Sequence, residues 1–226
     1  MAQSVLIIGE SGHGKSHSVQ FLDPKETFII NVANKSLPFQ GWRSNYSYIS
    51  KDNPEGNMSK VSTPGGIRDA MEHVNDNMPH IKNLIIDDWQ YMSAFEFFDR
   101  ADEDGWQKFT DIGKWLKVIS TQPMSMRDDL TVFFLTHSEE VEDRGRKKQK
   151  AKTIGKMVDE KLTLEGLFPI VLYSRARKDT DGEMEYGFET KTDGKNTCKS
   201  PLGMFEDEFI DNNLQIVKEK MIEYES

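Results

Sequence analysis

The sequence predicts an α/β fold: a three-layer core around a mostly parallel central sheet, completed by a C-terminal β-hairpin and helix. Three observations carry this. An apolar run, Val5, Leu6, Ile7 and Ile8, leads directly into GESGHGKS at residues 9–16. A second apolar run ends in two carboxylates, NLIIDD at residues 83–88. Around them, short β-branched runs alternate with segments of helical period, the pattern of parallel strands joined by crossover helices.

A chain of 226 residues accommodates one such domain, and residues 1–226 are read as a single unit. Charged residues make up 30% and apolar ones 36%, and no apolar run approaches the length of a membrane span. The first apolar residues already form the strand before the glycine loop and follow no basic segment, so the expectation is a cytoplasmic protein without a leader or a membrane partner. Cys198 is the only cysteine and the five histidines are scattered, which leaves no disulfide and no metal site of the cysteine or HExxH kind. The net charge of −9 is unevenly placed. Arg144, Arg146, Lys147, Lys148, Lys150, Lys152 and Lys156 follow one another without an acidic residue between them, a local basic site on an acidic body.

Taken in order, residues 9–16 fit GxxxxGK[ST], with Gly9 and Gly14 as the fixed glycines. The glycines let successive N–H groups point into one concavity, and a helix starting near Gly14 adds its positive end. Lys15 supplies a point charge for β and γ phosphates, and Ser16 a hydroxyl for Mg²⁺. The candidate nucleotide contacts are therefore Gly9, Glu10, Ser11, Gly12, His13, Gly14, Lys15, Ser16 and His17. ATP with Mg²⁺ is the expected ligand, since no NKxD-type guanine signature follows the later strands.

The first helix is expected over residues 16–22, stopped by Asp23-Pro24. TFIINV at residues 27–32 is a second strand. Residues 31–42 form a loop without period whose aromatics either pack over the sheet edge or sit at a subunit contact. Residues 46–50 read as a short strand and residues 51–60 as a polar loop. Thr63-Pro64 then starts a helix with Ile67, Ala70, Met71, Val74 and Met78 on one face.

In NLIIDD, Asp87 is placed to hold Mg²⁺ through a water, and Asp88 either orients the attacking water or caps the following helix. Residues 89–129 are helical apart from an acidic break at residues 102–105, with Phe109, Ile112, Leu116 and Ile119 on a shared face. LTVFFLT at residues 130–136 is another buried strand. It delivers His137, either a γ-phosphate sensor or a satisfied core histidine. Residues 138–156 read as a charged mobile loop, acidic then basic, whose cations either neutralise DNA phosphates or are simply solvated. A helix-like pattern covers residues 157–168. Residues 170–226 hold the last strands, a hairpin turning at Asp181-Gly182, and a helix from about Phe205 with Glu206, Asp207 and Glu208 in its first turn.

This order resembles the RecA-like branch of the P-loop ATPases and, more closely, the small bacteriophage AAA-type ATPases that include RecA-core single-strand-annealing recombination proteins. GESGHGKS, FIINVANKSLPF, IIDDWQYM, KFTDIGKW and FFLTHSEE carry the likeness, which spans most of residues 1–174. It implies a strand order of five-one-four-three-two, hydrolysis promoted at contacts between self-associated subunits, and a segment after the sensor strand that meets single-stranded DNA. The chain would then serve phage recombination or replication in the host cytoplasm, with a single-strand-binding protein or replicative helicase as a further partner. Lys15, Asp88 and His137 would be the catalytic groups, and a neighbouring subunit would bring Lys156, Arg175 or Arg177 to the γ-phosphate. Near position 50, where the family's catalytic glutamate would follow a strand, only Asp52 and Glu55 stand, so Asp88 takes that role. Two other readings use the same loop: a helicase-loader-type adaptor with slow turnover, and a P-loop small-molecule kinase.

Overall fold

The computed structural model describes residues 1–143, 145–154 and 160–226, with the side chain of residue 143 left aside. Among the described residues nine strands form one mostly parallel sheet: β1 (Gln3–Gly9), β2 (Thr27–Asn31), β3 (Met58–Ser59), β4 (Asn83–Asp87), β5 (Thr131–Asp143), β6 (Arg146–Ala151), β7 (Ile170–Lys178), β8 (Met184–Glu189) and β9 (Phe209–Asp211). Their order is β3-β2-β4-β5-β1-β7-β8-β9, with β6 paired to β5 off this path. Pairing is parallel from β3 through β7, then antiparallel for β7 with β8 and β8 with β9. Numbered by appearance, the five main parallel strands β1, β2, β4, β5 and β7 lie in the order five-one-four-three-two, as the resemblance implied.

These strands are apolar on both faces because both faces are covered. Leu6, Ile8, Phe28, Ile30, Leu84, Ile86, Val132 and Phe134 point to one side. There they meet α2 (Pro64–Asn77), α3 (Gln90–Asp99) and α4 (Gln107–Thr121), through Ile67, Met71, Val74, Met92, Ile112 and Leu116. Val5, Ile7, Ile29, Ile85, Phe133 and Leu135 alternate to the other side, against Val19, Leu22, Phe39 and α5 (Leu214–Glu225). Leu37 and Phe39 of the aperiodic loop are buried in this second layer, and Trp42, opening α1 (Trp42–Asn45), packs against it. The loop aromatics thus pack over the sheet. Among the described residues no helix is long and apolar enough to cross a membrane.

The structure corrects several expectations. The element after the glycine loop is a six-residue 3-10 turn, Ser16–Phe21, rather than an α-helix. Residues 46–50 contribute only an isolated bridge from Tyr48 to Met58, and β3 lies within the segment read as a polar loop. Residues 138–143 and 146–151 are strands and not a loop. β5 continues past the sheet and pairs antiparallel with β6. The C-terminal helix starts at Leu214, because Asn213 caps it by accepting the N–H groups of Gln215 at 2.8 Å and Ile216 at 3.4 Å. Residues 209–211, counted with that helix, form β9. Of the helix-like segment, residues 157–159 lie outside the described residues, and the remainder includes a 3-10 turn at Leu164–Leu167.

Arg127 ties the end of α2 to the start of β5. Its guanidinium donates to the carbonyls of Val74 at 2.8 Å, Asn75 at 2.9 Å and Met78 at 3.2 Å, and also to that of Ile81. The four carbonyls lie at a helix C-terminus and just beyond it, and those of Val74 and Met78 also accept the backbone N–H groups of Met78 and Ile81. Arg127→Met should cost roughly 2–3 kcal/mol, read as a fall in Tm of about 5–10 °C. An unchanged Tm would mean that water serves these carbonyls equally well.

Candidate functional site

Strand ends converge at one edge of the sheet. Parallel register sets Gly9 opposite His137 and Asn31 opposite Asp87, so the carboxyl ends of β1 and β4 open onto the same space as the loops after β2 and the sheet part of β5. They border a cleft of about 460 Å³.

The glycine loop is fitted to its seat. A Cβ on Gly9 would stand 2.8 Å from the Ser174 carbonyl oxygen on β7, and one on Gly14, at φ +89°, would stand 2.9 Å from the Asn212 amide. Ser174 Oγ donates to the His13 carbonyl and accepts from Asn212 Nδ2 at 3.2 Å. The His13 backbone is thereby turned toward the sheet, while the Glu10 carboxylate accepts from Gln149 of β6 at 3.1 Å. Ser11, Gly12, Gly14, Lys15, Ser16 and His17 line the cleft, whereas Gly9, Glu10 and His13 do not.

Lys15 is 5% exposed and folds back on its own loop, donating to the Gly9 and Glu10 carbonyls at 2.9 Å each. Burial pulls its ammonium down to about 8, against the attraction of Asp88 and Asp87. Ser16 Oγ donates to Asp87 Oδ1 at 2.8 Å, joining groups 71 positions apart. Burial, and then the adjacent Asp88, push the Asp87 carboxyl above the usual range, with the Ser16 hydrogen bond opposing them.

Asp88 is 2% exposed and has a left-handed backbone, φ +57°. This conformation turns the chain so that Trp89 N–H reaches the Leu135 carbonyl at 3.1 Å. The Asp88 side chain does not cap α3, whose N-terminus takes no side-chain cap. It points instead to the Lys35 ammonium, in a close ion pair, and to His137 Nε2 at 3.3 Å. Burial favours its neutral form, but the hydrogen bonds from His137 and Lys35 outweigh burial and hold the carboxyl below the ordinary range. His137 is therefore a cleft residue, with Tyr91 edge-on to its ring at 6.1 Å.

Lys35, Ser36, Pro38 and Tyr186 also line the cleft, and sequence reasoning missed them. For Lys35 a signal existed: it is the one charged residue of the loop over residues 31–42, at the carboxyl end of a strand beside NLIIDD.

The basic residues are not one open patch. Cross-strand register sets Lys150 against Glu139, Lys148 against Val141 and Lys147 against Glu142. Ion pairs join Lys150 to Glu139 at 3.2 Å and Lys147 to Glu140 at 2.8 Å. Arg146 and Lys152 are exposed, and Arg144 lies outside the described residues, as does Lys156. Of the cations assigned to a neighbour's site, Arg175 is paired to Glu189 at 3.0 Å and bonded to Gln149. Arg177 is paired to Glu185 at 2.8 Å and lies 3.5 Å over the Phe209 ring. Both are engaged within their own chain.

No protein-family model matches this chain, and no curated protein matches it closely enough to count as a relative.

The depressed ammonium of Lys15 has a direct consequence for stability. Its folded value of about 8 lies below the ordinary 10.5, so holding it charged costs the fold about 3 kcal/mol at neutral pH. That cost is fully present below pH 8 and vanishes as the pH rises to 10.5. Lys15→Met, which also loses two hydrogen bonds, should raise stability at pH 7 by a net ~1–2 kcal/mol. As that cost fades between pH 8 and 10.5, thermal melts should show the gap close and then reverse, leaving the variant the less stable by its two lost hydrogen bonds. A variant less stable than wild type at pH 7 contradicts this.

Proposed function

We propose that the chain is a Mg²⁺-dependent P-loop ATPase of RecA-like type that acts on single-stranded DNA in phage recombination or replication, working as an oligomer. The observation that carries the reading is the Ser16 to Asp87 hydrogen bond at 2.8 Å. It couples the serine of GxxxxGKS to the first carboxylate of the strand-end pair, the two protein groups that nucleotide-bound Mg²⁺ needs. Lys15 in the same cleft, and five main parallel strands in the five-one-four-three-two order, support it.

The donor set fits that ion, since a hydroxyl and a carboxylate are hard oxygen ligands. Such an ion would take its other ligands from phosphate and water. Bound there, Mg²⁺ would neutralise charge on the phosphate oxygens.

On this reading Lys15 leaves the Gly9 and Glu10 carbonyls for the β and γ phosphates, and regains as phosphate contact the hydrogen bonds it gives up. Asp88 orients a water whose oxygen bonds to the γ-phosphorus as the bond to the β,γ-bridging oxygen breaks. The water's proton passes to Asp88, and ADP and phosphate leave. His137 fixes the Asp88 carboxylate from the side away from Lys35. A neighbour would supply a cation such as Lys156, Arg175 or Arg177, and either arginine would first have to leave its pairing at home.

The charge-matched hairpin favours a second reading, the helicase-loader-type adaptor, because cations paired to Glu139 and Glu140 are less open to phosphates than a bare basic loop. Phosphate release from ATP with Mg²⁺, measured with and without single-stranded DNA, separates the two. The ATPase reading expects turnover that rises with DNA, disappears in Lys15→Ala and falls at least a hundredfold in Asp88→Asn. Replacing Arg146, Lys147, Lys148 and Lys150 together by alanine should remove the stimulation. DNA affinity should fall with salt by a log–log slope of roughly −0.7 for each phosphate neutralised. Turnover indifferent to DNA in the wild type moves the reading to the adaptor.

A further inference from the structure

We infer that Lys35 distinguishes a nucleoside triphosphate from a diphosphate, by exchanging its ion pair with Asp88 for one with the terminal phosphate group. This rests on the P-loop reading and adds to it a residue from the loop after β2.

The backbone of Lys35 is fixed while its side chain is not. Asn31, the last residue of β2, donates through Nδ2 to the Lys35 carbonyl at 2.6 Å and accepts the Lys35 N–H on Oδ1 at 3.1 Å. The turn between them places Asn34 in a left-handed conformation, φ +51°. Because Asn31 sits opposite Asp87 in the sheet register, this clamp anchors Lys35 beside the strand-end carboxylates. Beyond the clamp, the Lys35 side chain is 54% exposed, on a stem of four carbons that swings at little cost.

The ammonium pairs with Asp88, which is itself buried and has a second partner in His137. Asp88 can therefore release Lys35 without being stranded. Lys15 and Lys35 enter the cleft from different segments, and Lys35 is the one bound to Asp88, the carboxylate that on the P-loop reading orients the attacking water. A diphosphate engages Lys15 and leaves the Lys35 to Asp88 pair intact. A triphosphate brings a terminal group of higher charge density to the Asp88 side of the cleft, where it competes for Lys35 and faces repulsion if the cation is absent.

The test is equilibrium binding of ADP and of the β,γ-imido analogue of ATP, each with Mg²⁺, by calorimetry on wild type, Lys35→Gln and Lys35→Arg. The proposal expects Lys35→Gln to lose roughly ten- to hundredfold in affinity for the imido analogue, the size of one charge-assisted hydrogen bond. ADP affinity should stay within about threefold, and Lys35→Arg should recover most of the loss. Equal weakening of both nucleotides, or no change in either, overturns the role of Lys35 and leaves the P-loop reading standing. Failure of the wild type to bind either nucleotide overturns both. Thermal melts of the two variants confirm that each is folded.

Discussion

Two adjacent aspartates, almost wholly buried at the end of one strand, set the terms for everything around them. Neighbouring carboxylates at 4% and 2% exposure repel each other and have lost most of their water. They persist because three other segments bring partners: Ser16 from the glycine loop, Lys35 from the loop after β2, and His137 from β5. Lys15 adds its charge without direct contact. The interaction is thus distributed over four strand ends, and it holds only while those strands keep register. A one-residue slip of β5 against β1 would turn His137 to the other face of the sheet and leave Asp88 with one partner. The double-sided apolar packing of the core strands prevents that slip, since it would also expose Phe133 to the wrong layer.

The site carries costs that a purely structural arrangement would shed. Lys15 gives up hydration to lie over its own loop carbonyls, and Asp88 occupies a left-handed conformation that costs an ordinary side chain on the order of 1 kcal/mol or more. Both costs fall on residues that line the one cleft. Both also put a charged group where its partner is interchangeable: a backbone carbonyl for Lys15, a flexible ammonium for Asp88. An anion entering the cleft can offer Lys15 a stronger acceptor than a neutral carbonyl.

How far the fold was legible follows from how locally each signal is encoded. β1, β2, β4 and the sheet part of β5 are continuous apolar β-branched runs, and α2 and α4 show helical period with breaks at Pro64 and the acidic residues 102–105. These need no knowledge of neighbours. The β5–β6 hairpin needs it. Glu139 and Lys150 read as solvated residues until their strands are set side by side, because the stabilising alternation is of charge across the pair rather than of apolar residues along it. Acidic residues 206–208 look like the first turn of α5, whereas the side chain that caps the helix is Asn213. In the site, GxxxxGKS and the aspartate pair announced themselves by residue type. Lys35 did not, since its place depends on the Asn31 clamp, a contact between side chain and backbone that no periodicity encodes.

The hairpin shows how charge matching can order a segment without sequestering it. Its cross-strand pairs are exposed or half-buried, and such pairs are worth roughly 0.2–1 kcal/mol each. That suffices to choose a register, and each paired cation must leave its carboxylate before it can meet a phosphate. What fixes the base of the hairpin is Gln149, which donates to Glu10, accepts from Arg175 through its side chain and receives the Tyr173 hydroxyl on its carbonyl at 2.9 Å. Glu10 belongs to the glycine loop and Arg175 to β7. Gln149 thus links the arm, through side-chain hydrogen bonds, to the glycine loop that carries Lys15 and Ser16 and to β7, while no charged residue of the hairpin among the described residues lines the cleft.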